Sequence, residues 1–137
     1  MREILFRGKR KVNDEWVHGF LFVSRKGEYK IKWYDPKHGL ARTSEVYPQT
    51  VGQFTGLTDK NGKKIFEGDI VRDDYESGTH ASIVWLPQGC GWYLSYSRTD
   101  RRMGHRSRGC GYTQDEFLEV IGNIHDNPEL LGGADND

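Results

Sequence analysis

The stretch EWVHGFLFVSRKGEYKIKWYD, residues 15–35, decides the fold class. Its side chains change character at every second residue. Within residues 15–23, Trp16, His18, Phe20 and Phe22 fall on one side. Within residues 28–35, Tyr29, Ile31 and Trp33 share a face against Lys30, Lys32 and Tyr34. A period of two is that of a β-strand, whose successive side chains point to opposite faces. Ser24-Arg25-Lys26-Gly27 between the two runs is a turn signal. Gly19 inside the first run marks a bulge or a close backbone approach.

The same pattern continues outward. Residues 2–7 alternate and stop at Gly8, residues 35–39 (DPKHG) form a second turn, and residues 43–47 make a fourth short strand. Strands at this spacing suggest a meander that curls into a sandwich or barrel. Further on, Asn61-Gly62 is a tight-turn dipeptide, because both residues tolerate positive φ. Gly68-Asp69 before Ile70-Val71 enters another strand. Residues 81–86 (ASIVWL), 92–96 (WYLSY) and 119–124 add three more. Residues 98–111 read as a long polar loop. Thr113 and Glu116 fit a capping box that opens a short helical turn, and Asn127-Pro128 starts another. The fold class expected is mainly β, with one or two short helical turns near the carboxy terminus. The chain reads as a single compact domain with possible subdomains at 1–49 and 50–131, and a frayed tail at 132–137.

With 137 residues the chain can build a core without disulfides or a structural metal. Four Trp, seven Tyr and six Phe supply much of it. No apolar run approaches the roughly 20 residues of a membrane span, and Ile4-Leu5-Phe6 is too short for a secretory signal. The expectation is a cytoplasmic protein with no membrane partner. Cys90 and Cys110 would then remain thiols. Net charge is zero, yet residues 1–48 carry eleven Lys/Arg against six Asp/Glu, while residues 113–137 carry none against seven. Such asymmetry marks a polyanion-binding face, an acidic tail, or charges that cancel in the fold.

Two segments, residues 50–71 (TVGQFTGLTDKNGKKIFEGDIV) and 119–131 (EVIGNIHDNPELL), resemble the signature blocks of the YopX family of phage and prophage proteins. Residues 2–6 and 16–20 are similar to its opening strands. The resemblance implies a barrel-like first part and a second small, SH3-like barrel around Glu67-Gly68-Asp69. It implies a host-cell cytoplasmic location and brings no catalytic residues with it.

Three functional classes remain open. The first is an accessory or interaction protein of phage origin without chemistry of its own, with a phage or host protein or a second copy as partner. The second is a nucleic-acid-binding module that uses Arg98, Arg101, Arg102, Arg106 and Arg108, flanked by Trp92, Tyr93, Tyr96 and Tyr112; guanidinium forks suit phosphates and rings suit bases. The third is a metal-dependent enzyme at Glu67 and Asp69, helped by Asp59, Asp73 and Asp74. Against it stands a purely structural reading, in which Asn61, Gly62, Gly68 and Asp69 shape turns. Cys90, Cys110, His80 and His105 lack the spacing of a zinc site, so no metal and no cofactor are expected. Trp16 and Trp33 are expected in the core, and His18, His38 and His125 stand alone.

Overall fold

A computed structural model of the chain describes residues 3–97, 99–103 and 114–131. The structure is mainly β, with two antiparallel sheets, an arrangement consistent with a barrel-like fold. It divides into two units, Met1–Phe54 and Thr55–Asp137.

The first unit contains β1 (Phe6–Lys9), β2 (Trp16–Val23), β3 (Tyr29–Asp35), β4 (Leu40–Glu45) and the start of β5 (Gly52–Thr58), in the spatial order β4-β3-β2-β1-β5. β2 and β3 pair as the alternation requires, with Phe20 opposite Lys32, Leu21 opposite Ile31 and Phe22 opposite Lys30. Gly27, at φ +83°, closes their turn, and Ser24 N–H donates to the Glu28 carbonyl at 2.8 Å. Ile31 and Val46 are fully buried. Gly8 makes room for them, since a Cβ there would lie 3.0 Å from Val46 Cγ2 and 3.2 Å from Ile31 Cδ1. The first strand therefore runs through Gly8 instead of stopping at it.

The turn after β3 is organised by Asp35. Its Oδ1 accepts from Lys37 N–H at 2.9 Å, and its Oδ2 meets His38 Nδ1 at 2.8 Å and Arg42 Nη1 at 3.3 Å. His38 and Arg42 hold the Asp35 carboxyl below its ordinary pKa. His38 thus has a partner that spacing did not suggest. Trp16 and Trp33, expected in the core, are only half-buried. Arg7 lies over the Trp16 ring at 4.8 Å and Arg10 over the Trp33 ring at 5.5 Å, contacts in which a cation meets the negative face of the ring.

In the second unit β5 continues and has β6 (Lys64–Phe66) as its neighbour. A five-stranded sheet follows in the order β10-β9-β8-β7-β11, formed by β7 (Asp69–Asp73), β8 (Thr79–Leu86), β9 (Gly91–Ser95), β10 (Asp100–Arg102) and β11 (Leu118–Asn123). The inward residues Ile65, Val71, Ala81, Ile83, Leu94, Met103 and Leu118 form its core, with Leu57, Trp92, Tyr96 and Val120 packed against them. β10 corrects the reading of 98–111 as one long loop. Arg101 pairs with Leu94, Arg102 with Tyr93, and Met103 is a core residue, 7% exposed. A 3-10 turn at Gln114–Phe117 precedes β11, and one helical turn covers residues 129–131. The capping residue Thr113 and the tail at 132–137 lie outside the described residues.

Candidate functional site

The carboxylates of the second unit are the natural place to look for chemistry, and main-chain N–H groups bond three buried ones, Asp59, Asp69 and Asp73. Asp59, 6% exposed, opens the turn between β5 and β6. Its Oδ1 accepts from Asn61 and Lys63 N–H, both at 2.9 Å, and its Oδ2 accepts from Val120 N–H on β11, also at 2.9 Å. Of Asn61 and Gly62, only Gly62 takes a left-handed φ, +82°. The turn is shaped by the Asp59 side chain, not by two residues of positive φ. Asp69, 1% exposed, follows Gly68 at φ +89°, and its Oδ2 accepts from Phe66 N–H at 2.7 Å. Glu67, two residues earlier, is half-buried. Asp74 is held by Lys60 and Arg72, each at 3.0 Å, and Lys60 first, then Arg72, lower its pKa.

Asp73 accepts from a side-chain hydroxyl as well as from the backbone. It is fully buried; Oδ1 accepts from Tyr75 N–H at 3.0 Å and Oδ2 accepts from the Tyr96 hydroxyl. Residues 23 apart meet because β8 pairs with both β7 and β9, which sets Tyr96, just past the end of β9, one strand away from Asp73 at the end of β7. Beside this pair opens a cleft of about 200 Å³ lined by Glu76, Thr79, Tyr96, Ser97, Thr99 and Arg101. Arg101 and Glu76 form an ion pair at 2.5 Å on its wall. The ion pair leaves the cleft charge-balanced, and the Tyr96 and Thr79 hydroxyls on its lining are donated to Asp73 and to the Glu76 carbonyl.

Burial, and then the Asp73 carboxylate, push the Tyr96 hydroxyl far above the ordinary tyrosine range. The folded protein keeps this proton while the unfolded chain releases it above about pH 10. The stability from the bond is therefore complete below that pH and fades as pH rises beyond it. Tyr96→Phe leaves a buried carboxylate oxygen without its donor and lowers stability by about 2 kcal/mol at pH 8. Urea unfolding at pH 8 and pH 10.5 should show the difference between wild type and variant shrinking. A constant difference would detach the hydroxyl from the titration.

Of the arginines singled out from the sequence, Arg101 pairs with Glu76, and Arg102 Nη1 donates to the Gly89 carbonyl at 3.0 Å. Arg98, Arg106 and Arg108 lie outside the described residues, as do Cys110, His105 and Tyr112. Cys90 is exposed, with φ +49°, and its thiol donates to the Pro87 carbonyl at 3.4 Å. His80 Nδ1 meets the Leu130 carbonyl at 2.8 Å. Among the described residues no group of three or more His, Cys, Asp or Glu is placed to hold a metal ion. No helix among them is long and apolar enough to cross a membrane.

Sequence reasoning missed the Asp73–Tyr96 pair and the exposure of Phe20 and Phe22. The first depends on strand order. The second was half visible, since alternation grouped the rings without saying which face is covered.

A crystal structure of protein EF1440 from Enterococcus faecalis resembles this fold, with a TM-score of 0.57 and 22% identity over 96% of this chain and 99% of that one. No curated protein matches. The family model for YopX protein matches residues 5–132, nearly the whole chain, and the protein belongs to the YopX family.

Proposed function

We propose that this chain is a binding module without chemistry of its own, an accessory protein of phage or prophage origin that acts in the host cytoplasm on a macromolecular partner. One observation carries the reading. Three of the five acids that a metal-dependent enzyme would use are structural acceptors: Asp59 and Asp69 hold main-chain N–H groups, and Asp73 holds Tyr75 N–H and the Tyr96 hydroxyl. A fourth, Asp74, is held by Lys60 and Arg72. A carboxylate 1% exposed with a backbone donor at 2.7 Å is set to close a turn. The antiparallel order of the second unit, with a 3-10 turn ahead of β11 and β11 beside β7, supports reading it as a small SH3-like barrel. Small barrels host binding sites of many kinds, which is analogy of fold alone.

The test separates structure from catalysis at one residue. Asp69→Ala should lower stability by about 2–3 kcal/mol through the unsatisfied Phe66 N–H. Wild type given Mg²⁺ or Mn²⁺ and phosphodiester or phosphomonoester substrates should show no turnover above buffer. Metal-dependent turnover that Asp69→Ala abolishes in a folded protein would overturn the proposal.

A further inference from the structure

The outer face of β2 and β3 gathers three exposed rings. Phe20 is 73% exposed, Phe22 42% and Tyr34 65%. Antiparallel register sets Phe20 directly opposite Lys32 and Phe22 directly opposite Lys30. Tyr34 lies two residues beyond Lys32 on the same side of β3, while Leu21 and Ile31 point to the other. Rings and ammonium groups therefore alternate across two strands, with neighbours about 5 Å apart between strands and about 7 Å along them. Lys32 is exposed and makes no ion pair among the described residues. Lys30 meets Glu28 at 3.9 Å and stands opposite Glu45 of β4, which Lys11 holds at 2.8 Å.

We propose that this face binds single-stranded nucleic acid, with bases stacked on Phe20, Phe22 and Tyr34 and phosphates held by Lys30 and Lys32. This rests on the reading of the chain as a binding module and names its partner. The charge pattern selects the occupant. An apolar protein surface would cover the rings but bury the Lys32 ammonium group without a counter-charge, which is costly. A second copy laid on the same face would add its lysines to these, and like-charge repulsion opposes that. A flexible polyanion with flat apolar faces satisfies both at once, and stacking of that kind tolerates any base. The basic first third of the chain, eleven Lys/Arg against six Asp/Glu in residues 1–48, extends the attraction beyond the contact.

The test is fluorescence anisotropy with a 5′-labelled 20-nucleotide oligothymidylate at about 50 mM salt, using the full chain. The expected result is saturable binding that weakens as salt rises. Phe20→Ala and Tyr34→Ala should each weaken it by roughly tenfold, the effect of losing one stacked base. Both side chains are exposed, so circular dichroism should stay unchanged, and each variant checks the other. Lys30→Glu with Lys32→Glu should reduce the slope of log K against log salt by about 1.4, the value for two phosphates on a single strand. Oligouridylate of equal length should bind alike, since bases and phosphates are contacted rather than the sugar; a preference for RNA alone overturns the proposal. So does duplex DNA binding as well as the single strand, because paired bases offer no free faces. No binding, or binding indifferent to Phe20→Ala and Tyr34→Ala, overturns it too, as does a dimer by light scattering that Phe20→Ala dissolves without any oligonucleotide bound. Failure here leaves the module reading standing, which only metal-dependent turnover would remove.

Discussion

Asp59→Ala lowers the stability of the second unit by about 4 kcal/mol, a large share of the 5–15 kcal/mol that holds a typical domain. The figure follows from where its three donors sit. Asn61 and Lys63 N–H lie in an exposed turn and turn to water when the carboxylate is gone, at a loss of about 0.5–1 kcal/mol each. Val120 N–H lies on the edge strand β11, at a half-buried residue packed against the core, and a donor left there without its acceptor costs about 1–3 kcal/mol. The neighbouring bond from Lys60 N–H to the Leu118 carbonyl, 2.9 Å, loses its anchor as well. Asp59→Asn separates the contributions. Its amide oxygen still accepts from the two turn donors, but its NH₂ then faces Val120 N–H, donor against donor. The variant should fall between wild type and alanine. Urea unfolding followed by Trp85 and Trp92 fluorescence gives the ranking, and hydrogen exchange at Val120 gives the location. An alanine variant within 1 kcal/mol of wild type would mean that the side chain does not tie β11 to the turn.

The same residue shows what could be read from the chain and what could not. A turn at Asn61-Gly62 was legible because turn chemistry is local. Its third tie was not, because Val120 stands 61 residues away and no spacing rule reaches it. The cluster of acids at 59–74 has the composition of a cation site, and composition says nothing of how many backbone N–H groups will turn inward to meet it. β10 escaped notice for another reason. Its three residues, Asp100–Arg102, are charged throughout, and an edge strand that faces water on its open side has no apolar period to betray it. Met103 next to it was the one apolar clue. On β2 the period of two was plain, but apolar residues occupy both sides, Phe20 and Phe22 on one and Val17 and Leu21 on the other. Alternation sorts such a strand into two faces and leaves open which of them is buried.

Gly19→Ala should destabilise the first unit by about 3 kcal/mol or more, the upper end for overpacking. Gly19 is buried within β2, and a Cβ there would stand 2.1 Å from the Lys32 carbonyl oxygen and 2.9 Å from the carbonyl carbon. Both belong to the main chain of β3. A side chain in the way swings to another rotamer; a paired backbone moves only by giving up its ladder. The contrast is Gly8→Ala, whose nearest neighbours are the Val46 and Ile31 side chains at 3.0–3.2 Å and which should cost about 1–2 kcal/mol. Separation of β2 from β3 begins next to the Phe20–Lys32 pair, so Gly19→Ala should also scatter the alternating rings and ammonium groups of the outer face. Thermal unfolding of the two variants, followed by Trp16 and Trp33 fluorescence, tests the order. If Gly19→Ala melts no lower than Gly8→Ala, the two strands do not approach as closely as the bare glycine permits, and the register that aligns Phe20 with Lys32 loses its physical basis.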